Sequence, residues 1–431
     1  MVVVGSLVYA IGYYHRNCTG VLNKQIAKSL NVTESKLGVM STMYFWSYAL
    51  VQPFVGSLSD LYDTSYIISS SLVSNAIFTF VSGISRNFYL TCVARFFVGL
   101  GCGCMYVPVC RSFAQWFSPK LFPYAQSTII ACGGLGALLA QGPLGSSVND
   151  SNWPNAFYIG SGISLFLSIF AFIFLKGSPD PSKYKITFKE AMHKLLNNVK
   201  KSATFRDFWL LAIWKFLTPS TYSNVSSTWG KSYLQNGLKY DQKKSSYYIS
   251  ITSIAWTVGA PFLALISNWI KNRKICLIVC TFIATGSTIF FSVLNYTPKD
   301  AVIIAMLFVF ALSSGASLTV AAITFKEMLS KELVGTLMGC GNLFLMLGTS
   351  IEGSITSYVV SLYENTKDKT IPIIAYQYGL WMLSAISCGL SLFCLFPIKD
   401  PYYKALNEDD DKLKKQIESM ETPMLQSENK V

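Results

Sequence analysis

The chain has 431 residues, of which 52% are hydrophobic and only 13% are charged. Because soluble domains carry about 25% charged residues, this composition excludes an ordinary soluble enzyme and indicates a protein of the lipid bilayer. The formal net charge of +13 does not indicate a nucleic-acid partner, since the basic residues lie in short connectors and in the C-terminal tail rather than on one soluble face.

Apolar stretches long enough to cross a hydrocarbon core of about 30 Å recur along the whole chain. The predicted spans are residues 2–24, 37–59, 64–84, 88–112, 122–147, 154–175, 207–230, 245–267, 274–294, 300–325, 333–360 and 373–396. The sequence therefore predicts an all-α membrane protein with twelve transmembrane helices in two pseudo-symmetric six-helix bundles. The predicted domains are an N-terminal bundle at 1–175, a cytoplasmic linker at 176–206, a C-terminal bundle at 207–397 and a cytoplasmic tail at 398–431.

The basic residues of the connectors predict the orientation. Lysine and arginine are enriched in the linker, after the eighth span and in the tail, and such residues favour the cytoplasmic side. The Asn-x-Ser/Thr sequences outside the spans begin at Asn31, Asn149 and Asn295, in the opposite connectors, where glycosylation is expected. We therefore expect both termini in the cytoplasm. Residues 403–406 fit an endocytic signal, and the predicted location is the plasma membrane or an endosomal or lysosomal membrane.

Three short motifs occur in the order typical of one transporter family. The second span ends in Gly-Ser-Leu-Ser-Asp at 56–60, the fourth begins with Arg95 and Gly99, and the fifth carries Gly142 and Pro143. Together they resemble the major facilitator superfamily, whose two six-helix halves rock around a central solute site. The resemblance implies a twelve-helix transporter. The residues that follow the first motif lack the basic side chains usual in the family, so its cytoplasmic charge latch is incomplete here.

Within that superfamily, Tyr-Tyr-His-Arg at 13–16 is similar to helix one of organophosphate and organic-anion carriers, with lysosomal dipeptide carriers as the second likeness. The resemblance implies an arginine in helix one that faces the solute, often with a second cation in helix seven. The two halves align without gaps from Leu30 and Leu238, and this alignment places Asn224 opposite Arg16. A phosphate clamp made of two cations is therefore not expected.

Arg16 is the sharpest feature of the sequence. It lies about 14 residues into the first span, or ~20 Å from its start, where a charge is costly unless it faces water or a partner. The planar guanidinium suits a carboxylate or a phosphate. The alternative is a structural ion pair, with Glu352 as the candidate partner. The predicted substrate-binding residues are Arg16, Tyr13, Asn224, Thr221 and Ser220.

Four residues are candidates for coupling or gating. Glu352 lies well inside a span, and a carboxylate there can exchange a proton during the cycle. His15 is the only histidine in a predicted span, and histidine titrates near neutral pH. We expect Asp60 to face the positive N-terminus of a neighbouring helix, and Arg95 lies near the start of the fourth span.

The sequence contains no nucleophile elbow, phosphate loop or paired metal spacing, so we expect no enzyme activity, no cofactor and no metal. It predicts secondary active or facilitative transport, by symport or uniport, of a small polar solute that carries a negative group, through alternating access. An amino-acid or dipeptide carrier is the nearest alternative, and a non-transporting sensor or accessory subunit is the alternative of another class. The expected partners are the solute, the lipid bilayer and protons as candidate coupling ions. The oligomeric state is left open.

Overall fold

The computed structural model describes residues 1–117, 122–177, 187–294, 296, 298–328, 331–365 and 370–400. Within these ranges, consecutive helical segments join into rods that we number α1 to α12. The first six are α1 (Val2–Val21, then Asn23–Leu30), α2 (Glu34–Leu61), α3 (Thr64–Ile84), α4 (Phe88–Gly103, then Tyr106–Trp116), α5 (Phe122–Leu139, a π turn at Ala140–Leu144, then Gly145–Ser147) and α6 (Pro154–Phe174).

A linker helix, Phe188–Ala203, separates these rods from the second six. The second six are α7 (Arg206–Asn224, a π turn at Val225–Trp229, Gly230–Ser232, a π turn at Tyr233–Gly237), α8 (Gln242–Ile270), α9 (Arg273–Ser292), α10 (Asp300–Phe310, a π turn at Ala311–Ala316, Ser317–Met328), α11 (Lys331–Tyr363) and α12 (Ile373–Tyr376, a π turn at Gln377–Met382, Leu383–Leu395). The rods coincide with the predicted spans. The largest difference is in α7, which continues from the predicted end at residue 230 to Gly237 because polar contacts to the first half bury this part of the chain.

Nine of the described helices are long and apolar enough to cross a membrane on length and composition alone. The other three rods, α1, α2 and α7, carry polar residues along much of their length. Those residues, such as Asn17, Gln52 and Ser226, are buried in the protein instead of facing lipid. This agrees with the rule that polar side chains at membrane depth face the interior of the bundle.

Each half has its own hydrophobic core. One cluster draws its buried members from residues 208–398, and the other draws them from residues 8–175 with only Leu345 and Met346 added from α11. The halves meet where α2 packs along α11 and α5 along α8, and where α1 packs against the π turn of α7. Gly20 permits this last contact, since a Cβ there would overlap the main chain of Ser227.

The two ends of the bundle are distinguished by the linker helix, which packs against α2 and α11. We call its side the linker end and the opposite side the far end. At the linker end, Arg273 donates to both carboxylate oxygens of Glu327, over 3.1 Å and 2.8 Å, and also to Ser267 Oγ over 2.8 Å. The second half therefore has a charge pair at this end. Asp60 is the penultimate residue of α2 at this end, but its side chain lies outside the described part of the chain.

Candidate solute-binding site

Arg16 points from α1 towards the second half. The residue is 8% exposed to solvent, and its Nη2 donates to Ser223 Oγ on α7 over 2.6 Å. The guanidinium carbon lies 5.3 Å from the centre of the Tyr13 ring and 5.1 Å from that of Phe45. No carboxylate oxygen among the described residues lies within the 4.0 Å of an ion pair with Arg16. Arg16 is therefore a buried cation whose faces lie against two aromatic rings and whose described hydrogen bond goes to a neutral hydroxyl.

Tyr13 joins Arg16 to an aromatic contact between the halves. Its ring stacks on Trp256 of α8 with centroids 4.9 Å apart and planes 21° from parallel, while its hydroxyl accepts a hydrogen bond from Tyr9 over 3.4 Å. Trp256 was not predicted as a site residue. The sequence signal that could have indicated it is a tryptophan in the middle of a span, where an aromatic side chain is most often ordinary packing.

Gln141 is a second unpredicted residue at the interface of the halves. It is fully buried in the π turn of α5, and its Nε2 donates to Asn17 Oδ1 over 3.1 Å and to Ser226 O over 2.8 Å. Its Oε1 accepts from Ser253 Oγ over 2.6 Å. One amide thus joins its own helix to three others, and its contact on α1 is the residue next to Arg16.

The predicted span-seven residues divide into two groups. The Asn224 Nδ2 donates to Thr356 Oγ1 on α11 over 3.2 Å, and the described hydrogen bond of Arg16 goes to the adjacent Ser223. Thr221 faces α12, where its hydroxyl lies 3.7 Å from Cys388 Sγ. The structure therefore brings Arg16 and Tyr13 together and places Asn224 and Thr221 on other sides of α7.

Glu352 forms a separate polar centre with Ser220. Its carboxylate lies 3.1 Å from Ser220 Oγ and accepts from Ser384 Oγ of α12 over 3.2 Å. It is 6% exposed, and in the described chain no basic group lies within 4.0 Å of it. The ion pair with Arg16 that the sequence offered as an alternative is not formed in this conformation.

His15 and Arg95 lie inside the first half. The His15 ring lies 2.8 Å from Ser164 Oγ, and Arg95 Nη2 donates to the His15 main-chain oxygen over 3.0 Å. Arg95 is 2% exposed, and its guanidinium carbon lies 5.1 Å from the Tyr44 ring centre. These contacts connect helices of one half, so this pair is distinct from the Arg16 centre.

Residues 5–352 match the family model of the Major Facilitator Superfamily. The chain belongs to this superfamily. It is therefore a multi-pass membrane transporter and not an enzyme, and the family and fold predicted from the motifs are confirmed.

Two relatives in the superfamily are similar over most of their length. The chain is 24% identical over 389 residues to a protein named "Probable sulfoacetate transporter SauU" of Cupriavidus necator, a match that spans 86% of this chain and 88% of that protein. It is 22% identical over 343 residues to the cis,cis-muconate transport protein of Acinetobacter baylyi, over 78% of this chain and 81% of that protein.

Solved structures of major facilitator transporters have the same fold. A bacterial homolog of the human lysosomal transporter Spinster, in an inward-facing and unoccupied conformation, matches with a TM-score of 0.73 and 14% identity, over 94% of this chain and 96% of that one. A point mutant of the nucleoside transporter NupG matches with a TM-score of 0.69 and 14% identity, over 91% of this chain and 99% of that one. At this identity the likeness concerns the fold alone.

Proposed function

We propose that this transporter moves a small polar organic anion by alternating access, and that Arg16 holds the anionic group. The observation that carries the proposal is a buried guanidinium at the interface of the halves with a serine hydroxyl, and no carboxylate among the described residues, as its partner. An unneutralised charge at this depth is costly. A bound anion removes that cost, and the solute gains the full charge-assisted interaction.

The chemistry of the guanidinium favours a carboxylate, sulfonate or phosphate head. Arginine has five N–H donors in a planar fork, and one of them is used by Ser223. The rings of Tyr13 and Phe45 cover the guanidinium, so an anion is expected to approach in its plane and to accept two parallel hydrogen bonds. The relatives named for sulfoacetate and muconate transport support an organic anion as the solute.

Alternating access requires a site to which both halves contribute, reached from one side at a time. Arg16 and Tyr13 come from α1, Gln141 from α5, Ser223 from α7 and Trp256 from α8. Their contacts cross between the halves, so a relative movement of the halves rearranges the site. This supports a moving carrier over a sensor that only binds.

The test is uptake into liposomes that contain the purified protein, with labelled sulfoacetate and cis,cis-muconate as the first probes. Arg16→Lys keeps the charge but loses the fork, so we expect an affinity about 10- to 100-fold weaker, the equivalent of one charge-assisted hydrogen bond. Binding of a probe without uptake would favour the sensor, and Arg16→Lys with unchanged affinity and rate would refute recognition by Arg16.

Arg95→Lys is the matched control. It alters an arginine of α4 that is also buried but bonds within the first half. We expect this variant to lower the melting temperature, while the folded fraction keeps the wild-type affinity for the probe. The pair of variants therefore separates recognition of the solute from the general cost of replacing a buried guanidinium.

A further inference from the structure

At the far end, the two halves hold each other through a pair of carboxylates. Glu34, the first residue of α2, accepts hydrogen bonds from Ser232 Oγ and from Asn236 Nδ2, the latter over 3.1 Å to each oxygen. Glu364, just after α11, accepts from the Glu34 main-chain N–H over 3.0 Å and from Ser35 Oγ over 2.5 Å. Each carboxylate thus takes its described hydrogen bonds from the opposite half.

Lys231 makes a third contact of the same kind. It lies on α7 with 3% exposure, and its ammonium donates to Val21 O over 2.8 Å and to Gly145 O over 3.0 Å. Val21 ends the first segment of α1, where main-chain carbonyls carry a negative partial charge that favours a cation. A charge of the second half is therefore held by the main chain of the first half.

We propose that Glu34, Glu364 and Lys231 form the far-end gate of the transporter, the contact that closes this end and that breaks whenever solute enters or leaves there. The proposal rests on alternating access as the proposed function. Glu34 and Glu364 are 7% and 8% exposed in the present closed arrangement. Their described partners, like those of Lys231, are lost when the halves separate, and water then solvates all three charges.

Charged contacts across the two halves are better suited to a gate than an apolar contact of the same size. Burial of a charge carries a desolvation penalty that offsets much of what its partners contribute, so the closed state is specific in its geometry but only modestly favoured. An apolar seal of similar area loses the full hydrophobic contribution on opening. The gate is therefore able to open and close in every cycle.

The far end also has charge pairs that do not join the halves, and they provide controls. Lys28 pairs with Asp150 within the first half, with side chains 72% and 58% exposed. Lys244 pairs with Asp300 within the second half over 2.7 Å, with side chains 36% and 49% exposed. Neither pair joins the two halves, so neither has to break when the halves separate.

The experiment measures how fast a water-soluble maleimide labels a reporter cysteine beneath the gate. Thr228→Cys places the reporter on α7, at a position 2% exposed. The labelling rate of the same protein without this substitution is subtracted, so that the native cysteines do not contribute. We expect Glu34→Gln, Glu364→Gln and Lys231→Met each to raise this rate about tenfold, and Lys28→Gln and Lys244→Gln to leave it unchanged. Asn236→Ala, which removes a neutral partner of Glu34, makes the same test if a charge variant fails to fold.

An unchanged Thr228→Cys rate in the gate variants would overturn the gate. A second reporter tests alternating access separately: Asn342→Cys lies on the linker-end side of the site, where Asn342 donates to Gln52 of the first half over 2.9 Å. If opening of the far end slows labelling at this position, the ends are coupled. If labelling at Thr228→Cys becomes faster while labelling at Asn342→Cys does not become slower, the gate assignment is supported. In that case the proposal that opening of one end closes the other is refuted.

Discussion

Replacement of Glu352 tests whether protons drive the transport. In the described structure this buried carboxylate has hydroxyl partners and no cation. Ser220 Oγ also lies 2.5 Å from Phe216 O, and one hydroxyl proton cannot be donated to both acceptors. The shorter distance favours donation to Phe216 O, which leaves Ser220 able to accept a proton from a neutral Glu352. We therefore expect Glu352 to carry a proton during the cycle.

The size of the effect follows from the free energy of one proton. A gradient of one pH unit is worth about 1.4 kcal/mol per proton, which corresponds to about tenfold accumulation of the solute. Sulfoacetate is a dianion near neutral pH, so its transport with one proton moves a net negative charge, and the membrane potential must be clamped at zero with potassium and valinomycin. Under that clamp, wild-type protein in liposomes with an imposed gradient of one unit is expected to reach this ratio with labelled sulfoacetate. Glu352→Gln has the same shape but cannot release a proton, so it is expected to reach a ratio of about one while it still exchanges solute for solute.

Glu190→Gln, in the exposed first turn of the linker helix, is the control and is expected to accumulate as the wild type does. Tenfold accumulation by Glu352→Gln would refute the assignment of the proton to Glu352. A ratio of about one in wild-type protein, with exchange intact, would show that the carrier is not driven by protons at all.

Three further outcomes follow from the packing and the charges. Gly20→Ala is expected to slow uptake in liposomes, because its Cβ overlaps Ser227 and overpacking costs about 1–3 kcal/mol in the closed state, whereas Gly162→Ala meets nothing within 4 Å and should transport normally. Glu327→Gln is expected to destabilise the protein by about 3 kcal/mol, since it removes the negative charge that Arg273, with a side chain 4% exposed, contacts over 2.8 Å; a melting temperature equal to that of wild type would contradict this. Tags at both termini should be inaccessible to antibody in intact cells, and labelling of either tag from outside would reverse the predicted orientation.

The sequence predicted the spans well because hydrophobic length is a local property of the chain. It also predicted that Arg16 faces the solute or a partner inside the protein, since a charge on an apolar helix at this depth is stable only where it faces the interior of the protein or water. It did not predict the partner. The repeat placed Asn224 opposite Arg16, but successive residues of a helix point about 100° apart, and the structure has Ser223 there instead. Two neighbouring residues of α7 therefore make different contacts, with Ser223 at Arg16 and Asn224 at Thr356 of α11.

The remaining contacts were missed because they depend on residues distant in sequence. Gln141 directly precedes the glycine-proline motif of the fifth span and received no role from the sequence, yet its amide contacts three other helices. Glu34 is an acidic residue at a helix start, where a negative charge suits the helix dipole, and its sequence context does not indicate that its carboxylate accepts a hydrogen bond from α7. Neither residue has a local pattern that distinguishes it, because the partners lie in the other half.

The backbone of α7 explains why this helix contacts so much of the first half. An ideal helix repeats every 3.6 residues and offers one narrow face, but α7 has two π turns, each of which adds a residue to the turn. Ser226, which reaches α5, and Asn236, which reaches α2, lie within these π turns, whereas Ser223, which reaches α1, lies just before the first of them. A sequence pattern read with the ordinary helical period cannot assign these positions to one surface. The same irregular backbone runs from Ser223, which contacts Arg16, to Asn236, which contacts Glu34, so we expect a shift of α7 at the first contact to change the second.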